Sequence, residues 1–369
     1  VAEAVLAPVA LPRETNSAMD GFAVRSADGA QAAAAIVGES RAGVPFADTI
    51  GSGEVVRIAT GATLPSGADA VVKVEDTRQE GDRVALPAVA AANNVRVAGE
   101  DLALGQLIIA AGTRLAPHHL VALAAAGVAV VDCHRRPRVS VVVTGDEIVS
   151  PGEPVGPGQV TDVHGIALPA LVRAAGGEVG EVLHAPDRPG VLTDLLTGLA
   201  PCDIVLVTGG LSVGEHDHTR PALEALGVEL VVQRLLLRPG QPTAIGVRST
   251  PDQLWFGLPG NPVSAFAVSA LFLVPAIRSL EGAAPSPFAT RRARLAEPVR
   301  PDDTRWLALR AVAAGEGMVV LQGQASHMVS ALAEASALVL LQPSDEVLPA
   351  GALVDVLDLE ALQAAGVPA

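Results

Sequence analysis

The stretch from Asp203 to Asp217, DIVLVTGGLSVGEHD, places the strongest limit on what this chain can fold into. Ile204, Val205, Leu206 and Val207 form a run of β-branched and aliphatic residues that reads as a buried strand. Thr208-Gly209-Gly210 ends the run where only glycine lets the backbone turn sharply. Ser212, Gly214, Glu215 and Asp217 follow. A buried strand that leads into a glycine-rich loop and then into carboxylates presents a ligand site at the carboxyl edge of an open α/β sheet.

The neighbouring sequence repeats the pattern. Strands are expected at 139–143, 179–184, 204–207, 229–233, 243–247 and 254–258, alternating with helices at 165–175, 190–199, 220–226 and 262–280. Such alternation implies parallel strands covered by helices on both faces, a three-layer domain spanning 138–282. The loops after the strands read TGDE (Thr144, Gly145, Asp146, Glu147), APD ending at Asp187, TGG, RPGQP (Arg238 to Pro242) and LPGNP (Leu258 to Pro262). Glycines, carboxylates and an arginine therefore gather at one sheet edge, where a ligand site is expected. In LPGNPVS, Pro259, Gly260 and Asn261 precede a long apolar helix with Asn261 at the N-cap, Pro262 at the first position and Ser264 in the first turn. Its free N–H groups suit an anion, and a capped core helix accounts for the same residues equally well.

The N-terminal part has a different period. NSAMDGFAVR places Asp20 at a strand entrance, where an Asp before Gly is ordinarily a turn-former. From about 16 to 97, short runs at 55–59, 70–74 and 83–86 are separated by Gly, Pro, Asp and Asn, which implies an all-β module that carries Thr60 in a turn. Lys73 and Glu75 alternate onto one face as a surface ion pair. GED at 99–101 closes the module with Asp101, and a helix follows from Pro117 to a stop at Gly127, with His118 and His119 in its first turn as solvated or capping groups. Residues 283–369 return to short strands and read as a small β-barrel or sandwich in which Arg310, Ser326 and His327 are the polar candidates.

Composition narrows the partners. At 369 residues several domains are expected, and with 2% aromatic residues their cores must be built from Ala, Val and Leu. The formal charge is −15, with a single lysine, Lys73, among 25 basic residues. An acidic surface of this kind argues against nucleic acid and anionic lipid as partners. The mean hydropathy of +0.41 raises the question of a membrane span. The most apolar stretch, 263–277, is interrupted by Ser264, Ser269 and Pro275 and is shorter than the roughly 20 residues a span needs, so it reads as a buried helix. No signal peptide is recognisable, and two cysteines, Cys133 and Cys202, make no disulfide framework, so a cytoplasmic location is expected. Cys202 reads as a buried, inert thiol.

Glycine loops and a helix start suit phosphate or another oxyanion, whereas Glu147, Asp187, Glu215 and Asp217 would repel one. A divalent cation reconciles them, and oxygen ligands suit Mg2+. The residues alone thus point to a Mg2+-assisted reaction on a phosphorylated ligand.

In order along the chain, NSAMDG, TGATLP with GADAVV, GED, TGDE, TGGLSVGEHD and LPGNPVS resemble the molybdopterin molybdenumtransferase family, the MoeA proteins, whose relatives include the gephyrin E domain. The resemblance covers essentially the whole chain. It implies a multidomain α/β plus β fold with a discontinuous first domain (1–15 and 98–137), an all-β insertion (16–97), the α/β molybdopterin-binding domain (138–282) and a C-terminal β-barrel (283–369). It implies a homodimer that inserts molybdenum from molybdate into adenylylated molybdopterin with Mg2+-dependent release of AMP, and a separate molybdopterin adenylyltransferase to supply that substrate. Carried over by motif, Asp20, Asp101, Glu147, Asp187 and Asp217 are implied as catalytic residues, with Glu147, Asp187 and Asp217 holding Mg2+ and Asp20 arriving from the second subunit. Thr60, Thr144, Gly145, Gly209, Gly210, Ser212, Gly214, Arg238, Gln241, Pro259, Gly260, Asn261, Pro262, Ser264 and Arg310 are implied as binding residues. Arg238, the Pro262 helix start and Ser264 would surround molybdate, joined by Arg310. Two departures stand out: Gln241 where the family commonly has lysine, and Asp162-Val163-His164 where it usually has Asp-x-Asn. A paralogue or scaffold that binds a pterin or nucleotide without inserting metal, and a nucleotide-pyrophosphate hydrolase, are the other readings. The N-terminal NSAMDG and TGATLP motifs speak against the hydrolase.

Overall fold

The computed structural model describes residues 1–188, 190–211, 218–283, 290–315 and 317–363, the side chain of residue 363 excepted. The chain divides into two compact units, Val1–Cys133 and His134–Ala369.

The first unit is almost wholly β. Its main sheet orders six strands as Ala70–Lys73, Gly21–Val24, Glu54–Ile58, Gln31–Ser40, Arg83–Leu86 and Arg78–Glu80. Alternation along the strands splits the apolar residues between two faces. Phe22, Val24, Val55 and Val72 build one core, while Ala23, Val56, Ile58 and Val71 build the other. The ten-residue strand Gln31–Ser40 had no counterpart in the expected runs, because its AAAA segment has little β propensity. It forms because it pairs with Glu54–Ile58 on one side and Arg83–Leu86 on the other. Lys73 ends its strand and Glu75 falls in the short 3-10 turn Val74–Asp76, so the strand alternation expected to set them on one face as a surface ion pair stops at Lys73. The helix Pro117–Ala125 starts as expected, and His119 Nδ1 caps it by accepting the Ala116 N–H at 2.9 Å.

The second unit is built on a six-stranded sheet ordered Glu178–Ala185, Arg138–Thr144, Ile204–Thr208, Asp252–Leu258, Ala244–Ser249 and Glu229–Val232. The first four run parallel, whereas Ala244–Ser249 folds back antiparallel as a hairpin with Asp252–Leu258. Strand alternation again decides the layers. Val139, Val141, Val143, Ile204 and Leu206 face the helices His164–Ala175 and Pro262–Leu280, while Val142, Val205 and Val207 face Val191–Thr197 and Thr219–Ala225. Each such side chain, once buried, contributes about 1.5–3 kcal/mol. Pro262–Leu280 is the one helix among the described residues long and apolar enough to cross a membrane, and 61% of its apolar window is buried inside the protein. It is the core helix expected from its interruptions.

Beyond it, Thr290–Leu295, Trp306–Ala314, Gly317–Val320, Ala337–Leu341 and Leu353–Asp358 close into a five-stranded barrel, because Trp306–Ala314 pairs with both Gly317–Val320 and Ala337–Leu341. The short strand Leu237–Arg238 pairs in parallel with Trp306 and Leu307. That pairing brings the RPGQP loop of the sheet against the barrel.

Asp203, which opens the central strand, accepts the Arg138 N–H at 2.7 Å and an Arg135 guanidinium N–H at 2.6 Å. The Arg135 bonds hold its carboxyl below the usual value of 3.8. A depressed carboxylate pKa stabilises the fold above that value and the gain is lost as pH falls. Because Arg135 is 75% exposed, the pair is worth about 1 kcal/mol or less. Asp203→Asn should therefore lower the melting temperature slightly at pH 7, with the difference from wild type narrowing below about pH 3.8 in thermal melts across pH 3–7.

Candidate functional site

Parallel pairing puts the carboxyl ends of four strands side by side, and their loops touch. Thr144 Oγ1 donates to the Thr208 carbonyl at 2.8 Å, and Thr219 Oγ1 donates to the Gly209 carbonyl at 2.9 Å. Gly209 has φ +87° and Gly210 φ +61°. A Cβ on either would lie 2.6 Å from Thr144 Oγ1 or Thr219 Oγ1 respectively. Both glycines are thus required by backbone conformation and by the close approach of their neighbours. Ser212, Gly214, Glu215 and Asp217 lie outside the described residues.

Two histidines tie the flanking loops down. His184 Nε2 is 2.7 Å from the Gly145 carbonyl, and His164 Nε2 is 2.8 Å from the Gly260 carbonyl. A carbonyl only accepts, so each Nε2 carries the proton. The departure at position 164 therefore has a structural task, fixing the PGN turn. Asp162 supports it by accepting the Gly165 N–H at 2.9 Å at the helix start.

The acidic side of the edge is assembled from neighbouring loops. The Asp187 N–H donates to Asp146 Oδ1 at 3.2 Å, while the exposed Glu147 carboxylate folds back over Gly145. Asp146, a residue between the expected ones, is thus the carboxylate that meets the Asp187 loop. Among the described residues no three His, Cys, Asp or Glu side chains form a metal-holding group. The donor set nonetheless fits Mg2+, which ordinarily takes one or two carboxylates and completes its shell with water and substrate phosphate.

Beside this edge is a cavity of about 290 Å3, whose wall includes Arg238, Gln241, Asn261, Ser264, Arg305 and Ser326. Pro259 also lines it, and Pro262 opens the helical run Pro262–Leu280, whose first N–H groups lack intrahelical partners. Asn261 occupies the N-cap position, but its side chain makes no capping bond, contrary to expectation; it is exposed at the cavity wall. Ser264 is 4% exposed there.

Arg305 was not anticipated, since nothing in its local sequence marks it. Asp302 orients its guanidinium through Nη2 at 2.8 Å, and that bond holds the Asp302 carboxyl well below the usual carboxylate range. Gln241 lies between guanidinium groups. With its amide oxygen turned to Arg234 it accepts from Nε at 2.7 Å, a better bond than the alternative 3.4 Å contact with Arg305 Nη1. That orientation sets the amide NH2 beside Arg305 Nη1. Two donors then converge at the cavity wall, and an acceptor is needed between them. Arg310 is wholly buried and stands behind the wall instead of in it.

In the first unit, Asp20 Oδ1 accepts both the backbone N–H of Thr60 at 2.6 Å and its Oγ1 at 2.9 Å. The backbone bond does most to hold the Asp20 carboxyl below its usual value, so the group is ionised at neutral pH. Asp20 is more than a turn-former, because it joins two loops. Asp101 is exposed, donates its backbone N–H to the Leu11 carbonyl at 3.0 Å and shares no hydrogen bond with that pair.

Known proteins resemble the chain along most of its length. A sequence profile described as the MoeA N-terminal region (domain I and II) matches residues 1–127, one described as a probable molybdopterin binding domain matches 140–279, and one described as the MoeA C-terminal region (domain IV) matches 292–359. A protein named molybdopterin molybdenumtransferase from Haemophilus influenzae is 36% identical over 286 residues, covering 76% of this chain and 70% of that protein. The chain belongs to the MoeA family. A molybdopterin molybdenumtransferase from Staphylococcus epidermidis is 30% identical over 373 residues, 97% of this chain and 88% of that protein. Among solved structures of the family, the molybdopterin biosynthesis MoeA protein from Pyrococcus horikosii superposes with a TM-score of 0.83 at 30% identity, covering 96% of this chain and 90% of that one.

The loop contacts predict which substitutions this MoeA-family edge tolerates. Gly209→Ala should destabilise the protein by about 2 kcal/mol or more, from backbone strain and the clash with Thr144 Oγ1. Thr144→Ala in the same chain should recover part of the loss by removing the clash, which a double-mutant cycle by denaturant unfolding would read directly.

Proposed function

We propose that this chain is a molybdopterin molybdenumtransferase, which takes molybdenum from molybdate and inserts it into adenylylated molybdopterin with release of AMP. Its relatives bear that name at 36% and 30% identity over most of the chain. The observation that carries the assignment to a particular place is the cavity where Arg238, Arg305 and the Gln241 amide converge beside Ser264 and the Pro262 helix start. Donors without an internal acceptor suit a tetrahedral oxyanion, and in a chain of net charge −15 such an anion must be captured locally.

In this reading the glycine edge binds the pterin substrate and the cavity binds molybdate. Gly209, Gly210 and Thr144 would lie against the pyrophosphate, and Ser212 and Gly214 are assigned to the same role. Glu147, Asp187 and Asp217, joined by Asp146, would hold Mg2+, which would supply charge neutralisation to the pyrophosphate. Gln241 does not cancel oxyanion binding, because Arg305, oriented by Asp302, keeps its Nη1 donors at the same wall and the amide keeps a donor there. Asp20, held ionised by Thr60, and Asp101 are assigned to the same reaction. The chain acts as a homodimer in the cytoplasm, with the four-domain division 1–15 plus 98–137, 16–97, 138–282 and 283–369. A separate adenylyltransferase supplies its substrate.

The test is to incubate the protein with adenylylated molybdopterin, Mg2+ and molybdate and to follow AMP. Release should require both added ions. Arg305→Met should raise the molybdate KM about tenfold with little change in kcat, whereas Asp187→Asn and Asp20→Ala should each lower kcat by about two orders of magnitude. Pterin binding with no molybdate-dependent AMP release would assign the chain to a non-catalytic paralogue instead. Asp20→Ala at the wild-type rate would remove that residue from the reaction.

A further inference from the structure

Arg310 is the least explained charge in the second unit. It lies in the barrel strand Trp306–Ala314 with none of its surface exposed. Its Nη2 donates to the carbonyls of Gly323 at 2.7 Å and Ala325 at 3.2 Å. Gln324, between them, clasps the arginine backbone in return. Its Oε1 accepts the Arg310 N–H at 3.0 Å, and its Nε2 donates to the Arg310 carbonyl at 2.9 Å and the Leu321 carbonyl at 2.8 Å. The segment fixed in this way contributes Gln324, Ala325 and Ser326 to the cavity wall.

The remaining donors are unspent. Nε and Nη1 of Arg310 have no hydrogen-bond partner among the described residues. Among the described residues no carboxylate pairs with it either; the arginine that does carry one here is Arg305, through Asp302. Burial alone pushes the Arg310 pKa down, yet a guanidinium stays protonated. A whole positive charge is therefore held, unbalanced, directly behind the loop that forms the cavity wall. Replacing a buried, unpaired charge by an apolar side chain would ordinarily stabilise a fold. Loop anchoring needs only the two Nη2 bonds, which a neutral amide could make, and so does not account for a full charge.

We propose that Arg310 is a positioning residue for the oxyanion cavity, holding the Gly323–Ser326 wall by two carbonyls while its uncompensated charge attracts the bound anion through that wall. The inference rests on the reading of the cavity as an oxyanion site. It differs from a direct contact, since the anion meets Gln324, Ala325 and Ser326 while the guanidinium stays out of reach. It also distinguishes two arginines. The cavity-lining Arg305 is partly exposed and screened by salt, whereas a buried charge is screened much less.

The test compares Arg310→Lys, which keeps the charge, with Arg310→Gln, which keeps donors for the carbonyls and removes it. Molybdate is titrated calorimetrically into each protein and into Arg305→Met, at about 50 mM and about 500 mM salt. Arg310→Lys should bind within about threefold of wild type, and Arg310→Gln about tenfold more weakly, a ratio that persists at high salt while the Arg305→Met deficit shrinks. A second readout uses wild type alone: molybdate should slow amide hydrogen exchange at 323–326. Equal binding by wild type and Arg310→Gln, Arg310→Lys as weak as Arg310→Gln, or unchanged exchange at 323–326 in the bound protein would overturn the inference. Wild type binding no molybdate would instead remove the cavity reading beneath it.

Discussion

The parallel pairing of Arg138–Thr144 with both Glu178–Ala185 and Ile204–Thr208 is the constraint on which the rest of the second unit depends. Parallel strands point all their carboxyl ends one way, so TGDE, APD, TGG and LPGNP must emerge on a single edge. The pairing is stable because successive side chains alternate between two helix layers, with Val141 and Leu206 on one face and Val142 and Val205 on the other. The loop contacts along this edge follow from where those strands stop. Thr144 reaches the Thr208 carbonyl because their strands are in register, and Gly209 cannot be larger because Thr144 is already there.

A second contact adds a cavity to this edge. Leu237–Arg238 pairs with Trp306 and Leu307 of the barrel, which carries Arg238 and Gln241 up to Arg305 and to the wall that Arg310 holds. The cationic groups thus come from the sheet loops and the barrel of one unit, and the carboxylates Asp146 and Asp187 from the sheet loops. An anionic ligand and a divalent cation can share the edge only with such a separation of signs. The molybdate and pterin roles proposed for the two sides of the edge fit that division.

How much of this was legible in the sequence follows from the physics of each residue. The four parallel strands, the turn at Gly209-Gly210 and the helix start at Pro262 were, because burial periodicity and backbone permissiveness are local properties. The strand Gln31–Ser40 was not, since its alanines carry no β signal and its pairing partners supply the order. Asn261 stood in the right place for a cap and does not act as one. Arg305, Asp146 and His184 were missed because their roles arise from partners 64, 41 and 39 residues away. Gln241, which looked like the weak point, is the clearest case: its neighbours Arg234 and Arg305 determine what its amide can do, and neither is visible in RPGQP.

The central claim is that a tetrahedral oxyanion binds where the sheet edge meets the barrel, and anomalous diffraction from crystals soaked in tungstate tests it most directly. The account predicts one strong peak in the cavity, within hydrogen-bond distance of Arg305, Arg238 or Ser264 and of the Gln241 amide, with Arg310 behind it and out of contact. A peak against Arg310 itself, at the Asp20–Thr60 pair, or nowhere in the cavity at saturating tungstate would contradict it.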